Sequence, residues 1–206
     1  MKIVSTNYCK TEAFAAPELW LQHIAFYTGI LEELARHHQV ESLERINYKG
    51  RLHKNGVTYH FISQRKRIVR FPFNMHRLVR RLKPDVVLVN GFIFPLQVIQ
   101  LRLFVGKKTK IFLIHRAEKP FCARRKWLHL LCEKWVDVFL FASAEFAEQW
   151  VNAGLIGSRQ KTREIIQATS SFTPGKKTTS KQNLFIKGDP VCLWVGRLDA
   201  NKDPLT

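Results

Sequence analysis

Acidic residues are scarce: 16 Asp and Glu stand against 34 Lys and Arg, a formal charge of +18 over 206 residues. Such a deficit favours anionic partners, whether nucleic acid, anionic lipid headgroups or phosphorylated ligands, and decides nothing about fold. Cysteine is scarce too. Cys9, Cys122, Cys132 and Cys192 are scattered, with no C-x-x-C and no close Cys/His cluster. That argues against a disulfide framework or a zinc site and predicts buried, reduced thiols in a cytosolic protein. No run approaches the roughly 18 apolar residues of a membrane span, and MKIVSTNYCKTEAF lacks the apolar core of a signal peptide. The expectation is a soluble or peripheral chain. No G-x-G-x-x-G follows the first strand candidate, which argues against a nicotinamide dehydrogenase. There is no internal repeat, paired-carboxylate signature or metal-ligand spacing. Helix-turn-helix, zinc-finger and RNP-like patterns are missing as well, which speaks against nucleic acid despite the charge.

What is there suffices for a core: hydrophobic residues make up 46% and aromatic residues 12% of the chain, which argues against disorder. Lys2–Thr6 reads as a first strand, and Pro17 and Glu18 open a long helix. Trp20, Ile24, Tyr27, Leu31 and Leu34 form its apolar stripe at steps of four and three, most simply core packing. Strand candidates follow at Gln39–Ile46 and Val57–Ile62, joined through Lys49, Gly50, Asn55 and Gly56. A basic patch (Arg65, Lys66, Arg67, Arg70) precedes a helix over Phe71–Leu82, with His76, Arg77, Arg80 and Arg81 outward and Pro84 as its stop. Val86–Val89 is apolar throughout, as a central parallel strand should be. A helix over Phe94–Phe104, a strand over Lys110–Ile114, a helix over Phe121–Val136 and a strand over Asp137–Phe141 come next. Ser143 is placed to cap a helix reaching about Gly154, and Glu164–Ala168 is the last short strand. Alternating strands and helices with short turns predict a doubly wound, mostly parallel α/β sheet. Residues 171–189, rich in Ser, Thr, Lys, Gly and Pro, read as a linker holding a short helix.

Beyond the linker, Val191–Val195 reads as a buried strand. Gly196, Arg197 and Lys202 follow in a polar loop, where glycine lets backbone approach a ligand and two cations could hold phosphate. Composition alone equally describes an ordinary loop. The wording is more specific. VGRLDANKDPLT resembles the opening of the nucleotide-sugar-binding domain of GT-B-fold glycosyltransferases of family 4. RLKPDVVLVNG, EKWVDVFLFASAEFAEQWVNAGL and REIIQATSSFTP are similar to successive segments of that family's N-terminal domain, in the same order and spacing. The resemblance implies a Rossmann-like acceptor-side domain over 1–170, an interdomain linker over 171–189, and at 190–206 the start of a donor-binding domain that the chain does not complete. Two departures are the glycine-free loop NYCKTEAFAAPELW after the first strand, and Gln167, Ala168, Thr169 and Ser170 where the family carries an Asn-Gly pair.

The function this implies is retaining transfer of a sugar from a nucleotide-sugar co-substrate to a glycan or lipid-linked acceptor, without a metal, by a cytoplasmic enzyme of which this fragment alone is inactive. The matching Gly196, Arg197 and Lys202 would meet the donor diphosphate. In open α/β sheets ligands bind at the carboxyl ends of the strands, which singles out Asn7, Tyr8, Asn90, Gly91, His115, Arg116, Ser143 and Glu145. A histidine such as His115 is most simply a hydrogen-bonded structural residue; the resemblance implies instead a catalytic position, its ring standing at the mouth of the crevice. Glu118 reads as a solvated loop acid. Lys119, Arg124, Arg125, Lys126 and Trp127 form a basic, aromatic patch, read either as a solvated surface or as a peripheral contact with anionic lipid on the inner membrane face. The alternative function is a non-enzymatic basic module that binds anionic lipid or nucleic acid.

Overall fold

The apolar run VVLV becomes a strand buried in the middle of a sheet. In the computed structural model, which describes residues 1–9, 11–63, 70–120, 126–170 and 173–191, Val86–Asn90 (β5) lies between Lys2–Asn7 (β1) and Lys110–Ile114 (β6), parallel to both. Outward from β1 come Gln39–Glu44 (β2), Val57–Phe61 (β4) and, at the edge, Gly50–Lys54 (β3). Outward from β6 come Val138–Phe141 (β7) and Thr162–Glu164 (β8). Among the described residues the order is β3-β4-β2-β1-β5-β6-β7-β8, and only β3 runs antiparallel to its neighbour. The sheet therefore reverses its winding at β1, between β2 and β5.

Helices cover both faces. Pro17–His23 (α1) and Ala25–Ala35 (α2) pack Trp20, Leu21, Ile24, Tyr27 and Leu31 on Ile3, Val40, Leu88 and Ile114. Phe73–Leu82 (α3), Pro95–Val105 (α4), Lys126–Glu133 (α5) and Ala144–Asn152 (α6) cover the other face. Met75, Val79, Leu101, Cys132 and Trp150 meet Val4, Leu43, Val87, Val89 and Leu113 there. Successive strand residues thus feed opposite cores, as the pleat requires. The result is a doubly wound, Rossmann-like α/β sheet. Among the described residues no helix is long and apolar enough to cross a membrane.

Several expectations need correcting. The long first helix breaks at Ile24 (φ −99°, ψ 20°) into α1 and α2, although Trp20, Ile24, Tyr27 and Leu31 stay buried as one stripe. Gly50–Lys54 is no connection but a strand. It pairs with β4 through Asn55-Gly56, whose φ values of 49° and 80° suit a tight hairpin turn. The last strand sits at Thr162–Glu164, not Glu164–Ala168, because its pairing with β7 ends at Phe141–Glu164. His76 points inward, fully buried, with Nε2 3.0 Å from Tyr8 Oη. Cys132 is buried as expected, but Cys9 is exposed. Ser143 does cap α6, accepting from Phe146 N–H. The helix expected over Phe121–Val136 is seen at Lys126–Glu133; residues 121–125 lie outside the described residues, as do Arg65, Lys66 and Arg67.

The chain divides into two compact units, Met1–Ser170 and Ser171–Thr206. In the second, Lys177–Asn183 (α7) is a short helix, with the Lys177 and Lys181 ammonium groups 3.0 and 3.2 Å from Asp189. The strand expected beyond Val191 and the loop with Gly196, Arg197 and Lys202 lie outside the described residues.

Candidate functional site

Strand alternation decides which residues reach the crevice at the switch point. On β1, Ser5 and Asn7 face the α1–α2 layer, whereas Tyr8 turns to the other core and packs against His76 and Phe94. On β5, Asn90 shares the parity of Leu88 and faces Tyr27. After β6, Ile114 and Arg116 face this layer, while Leu113 and His115 face away. Asn7, Asn90, Gly91 and Arg116 therefore meet in an open cleft of about 240 Å³, walled by Trp20, Ile24, Phe26, Ile93 and Phe94. An apolar wall with a few convergent polar groups is the usual form of a small-ligand site.

The polar floor is a closed network. Arg116 donates from Nε (3.0 Å) and Nη2 (2.6 Å) to Asn90 Oδ1, and from Nη1 to Gln167 O (3.1 Å). Its guanidinium carbon lies 4.4 Å from the centre of the Tyr27 ring. Asn90 Nδ2 donates to Tyr27 Oη (2.9 Å) and Ser5 Oγ (3.2 Å), and the two hydroxyls bond each other. Burial pulls Arg116 below the ordinary arginine range, against the opposing pull of Tyr27 and Glu118. Glu44 closes one side, accepting from Ser42 Oγ (2.7 Å) and Trp20 Nε1 (3.0 Å). Burial pushes its carboxyl up, and those bonds together with Arg116 oppose the shift.

Glu118 is a hub rather than a solvated acid. It accepts from Phe92 N–H (2.9 Å) and Arg116 N–H (2.6 Å), so one carboxylate ties the β5 and β6 loops together. Gly91 makes room for it: at φ 95°, a Cβ there would lie 3.0 Å from Glu118 Oε1. Far along the chain, Thr169 N–H donates to Phe26 O (2.7 Å), an approach that the missing side chain of Gly29 permits.

Four expected site residues lie outside this cleft. The His115 ring, expected at the mouth, is enclosed at 1% exposure among Phe92, Phe141, Phe146 and Trp150. Its Nε2 lies 2.8 Å from Glu118 O and 3.2 Å from Trp150 Nε1. A carbonyl can only accept and an indole N–H can only donate, and the shorter contact assigns the proton to Nε2. Tyr8 is buried on the far side. Ser143 and Glu145 bond each other at the start of α6 (3.3 Å) without lining the cleft. The residues that sequence reasoning missed are Tyr27, Glu44 and Glu118. The apolar stripe that holds Tyr27 and Trp20 reads as core, and only the parity of the strand ends separates Asn7 from Tyr8 and Arg116 from His115. Among the described residues no group of His, Cys, Asp and Glu could hold a metal ion.

With fold and cleft in hand, solved structures offer a comparison. A sucrose-phosphate synthase from Thermosynechococcus elongatus superposes with a TM-score of 0.55 at 10% identity, covering 92% of this chain and 54% of that one. A lipopolysaccharide outer core galactosyltransferase, WaaB in its apo form, gives 0.50 at 17% identity, covering 79% and 44%. The chain is thus similar in fold to glycosyltransferases and spans about half the length of each. No family model matches the chain, and no curated protein matches it.

Proposed function

We propose that this chain is the acceptor-side part of a retaining, family 4-type glycosyltransferase that moves a sugar from a nucleotide-sugar donor to a glycan or lipid-linked acceptor. The observation that carries the reading is the cleft at the carboxyl ends of β1, β5 and β6, where doubly wound sheets take their ligands. Asn7 and Glu118 supply the polar contacts for an acceptor hydroxyl, above the floor that Asn90 and Arg116 hold in place. Phe26 and Ile93, both exposed at the cleft, favour an acceptor with an apolar portion. Arg197 and Lys202 would neutralise the donor diphosphate, and Gly196 would let the backbone approach it. Transfer would take place between this domain and a second one, whose closure excludes water. His115 serves as a positioning residue: it holds the Glu118 carbonyl, and Glu118 in turn fixes the loops that present Asn90 and Arg116. The reading assigns no metal and places the enzyme in the cytoplasm, where nucleotide sugars are the co-substrates.

Calorimetry with a panel of nucleotide sugars tests this, on the chain itself and on a form joined to a second Rossmann-like domain after Thr206. The expected result is donor binding and transfer by the joined form alone, with Arg197→Ala weakening binding. A joined form that binds no nucleotide sugar overturns the proposal.

A further inference from the structure

A second concavity opens on the sheet face turned away from the α1–α2 layer, between the β3–β4 hairpin and α3. It holds about 480 Å³, and its lining includes Lys49, Arg51, His60, Ser63, Asn74 and Leu78, none of which lines the cleft. Register brings its polar side chains together. Arg51 stands directly opposite His60 across the antiparallel pair, so both side chains share one face. His60 in turn lies beside Leu43, whose side chain belongs to the core under α3.

His60 is 4% exposed, and its Nε2 lies 2.5 Å from Glu41 Oε2, with the Lys2 ammonium 2.7 Å from the other carboxylate oxygen. A carboxylate can only accept, so Nε2 carries a proton. Burial would raise the Glu41 carboxyl, but Lys2 and His60 outweigh it and hold it below the ordinary range. The other ring nitrogen, Nδ1, has no partner among the described residues, and unlike Nδ1 of His76 and His115 it is not sealed off. A buried ring held through one nitrogen thus offers the other to the groove. Lys49 and Arg51, exposed at the rim, form no ion pair among the described residues. Helix α3 begins here: Asn74 sits in its first turn, and Pro72 at the N-cap gives that turn no side-chain acceptor. Two unpaired cations, an imidazole backed by a carboxylate and the positive end of a helix therefore converge on one space.

We propose that this groove is a second ligand site, built for a dianionic terminal phosphate, with Lys49 and Arg51 on its oxygens and His60 donating to it from Nδ1 as the imidazolium. A terminal phosphate can reach a ring this recessed. A phosphodiester, flanked on both sides by its chain, is held off, which argues against nucleic acid. The site shares no residue with the cleft and needs neither donor nor acceptor, so its test can fail without touching the transferase reading.

Calorimetry of the chain with glycerol 3-phosphate, inorganic phosphate and glycerol tests this. Saturable binding of the phosphates and none of glycerol is expected. A tighter ester identifies a small phosphorylated molecule as the source, and equal affinities identify free phosphate; either result supports the site. Arg51→Gln and His60→Gln should each weaken binding about tenfold or more, the worth of one charge-assisted hydrogen bond. Asn74→Asp places negative charge at the groove while suiting a helix N-terminus, so it should abolish binding without lowering thermal stability. Lys107→Gln, beyond the end of α4, should change nothing. The proposal is overturned if neither phosphate binds, or if the groove variants lose no more than Lys107→Gln does. An oligothymidylate without terminal phosphates that binds more tightly than the ester, and loses that binding in the same variants, overturns it in favour of nucleic acid.

Discussion

The two faces of the sheet use arginine in opposite ways. Facing the α1–α2 layer, Arg116 spends its donors on Asn90 and Gln167 and its flat side on Tyr27, so its charge is part of the architecture. On the α3–α5 layer, Arg77, Arg80 and Arg81 stand in solvent without ion pairs among the described residues. One residue type therefore holds a site together on one side and leaves charge free for a partner on the other. Burial separates the two roles: a desolvated guanidinium must be satisfied internally, whereas a solvated one need not be.

The sharpest way to break this comparison is to truncate both kinds. Arg116→Ala should cost about 2–4 kcal/mol in urea unfolding, because Asn90 Oδ1 and Gln167 O lose their donor. Arg81→Ala should stay within about 0.5 kcal/mol; similar losses for the two would erase the distinction.

Acid should drive the two layers apart next. His76 and His129, both under the α3–α5 layer, are held down to about 4 by burial. Between pH 6.5 and 4 the unfolded chain therefore binds more protons at these rings than the folded one. Their share of stability is full above pH 6.5 and falls as pH drops towards 4, by on the order of 2 kcal/mol each. Glu44, against the α1–α2 layer, has the opposite sign: its raised carboxyl relieves a cost when it takes up a proton. Urea midpoints at pH 7 and pH 4.5 should show a smaller drop for His76→Leu and a larger one for Glu44→Gln than for the parent. A parent that loses nothing between these pH values, or an unchanged drop in both variants, would contradict the assignment.

A smaller loss is expected at the glycine of the cleft. Gly91→Ala places a side chain at φ 95° and pushes it against Glu118, at a cost of about 1 kcal/mol or more. Because it disturbs the loops rather than the core, acceptor affinity should fall more than stability does. An undiminished affinity would remove Glu118 from the positioning role given to it.

Much of the sheet was legible because buried parallel strands write themselves as unbroken apolar runs, as in VVLV and KIFLI. The hairpin at Asn55-Gly56 carried a strong turn signal that the weak apolar pattern of GRLHK, exposed at the sheet edge, obscured. The break at Ile24 was hidden because both helices bury the same stripe. The cleft was half legible. Strand ends could be located, but adjacent residues there point to opposite layers, and choosing between them needs the register. Glu118 was invisible for a different reason: its partners are backbone N–H groups brought to it by folding, which leave no mark in the sequence.

The bond between Phe26 and Thr169 spans 143 positions of the chain, and Arg116 reaches Gln167 beside it. During synthesis, then, the helix that walls the cleft leaves the ribosome long before the segment that fastens it. Until residues near Thr169 emerge, α2 lacks its anchor and Arg116 one of its acceptors, however complete the earlier strands are. Ligand capture by this cleft would be among the last properties that residues 1–170 acquire as they emerge.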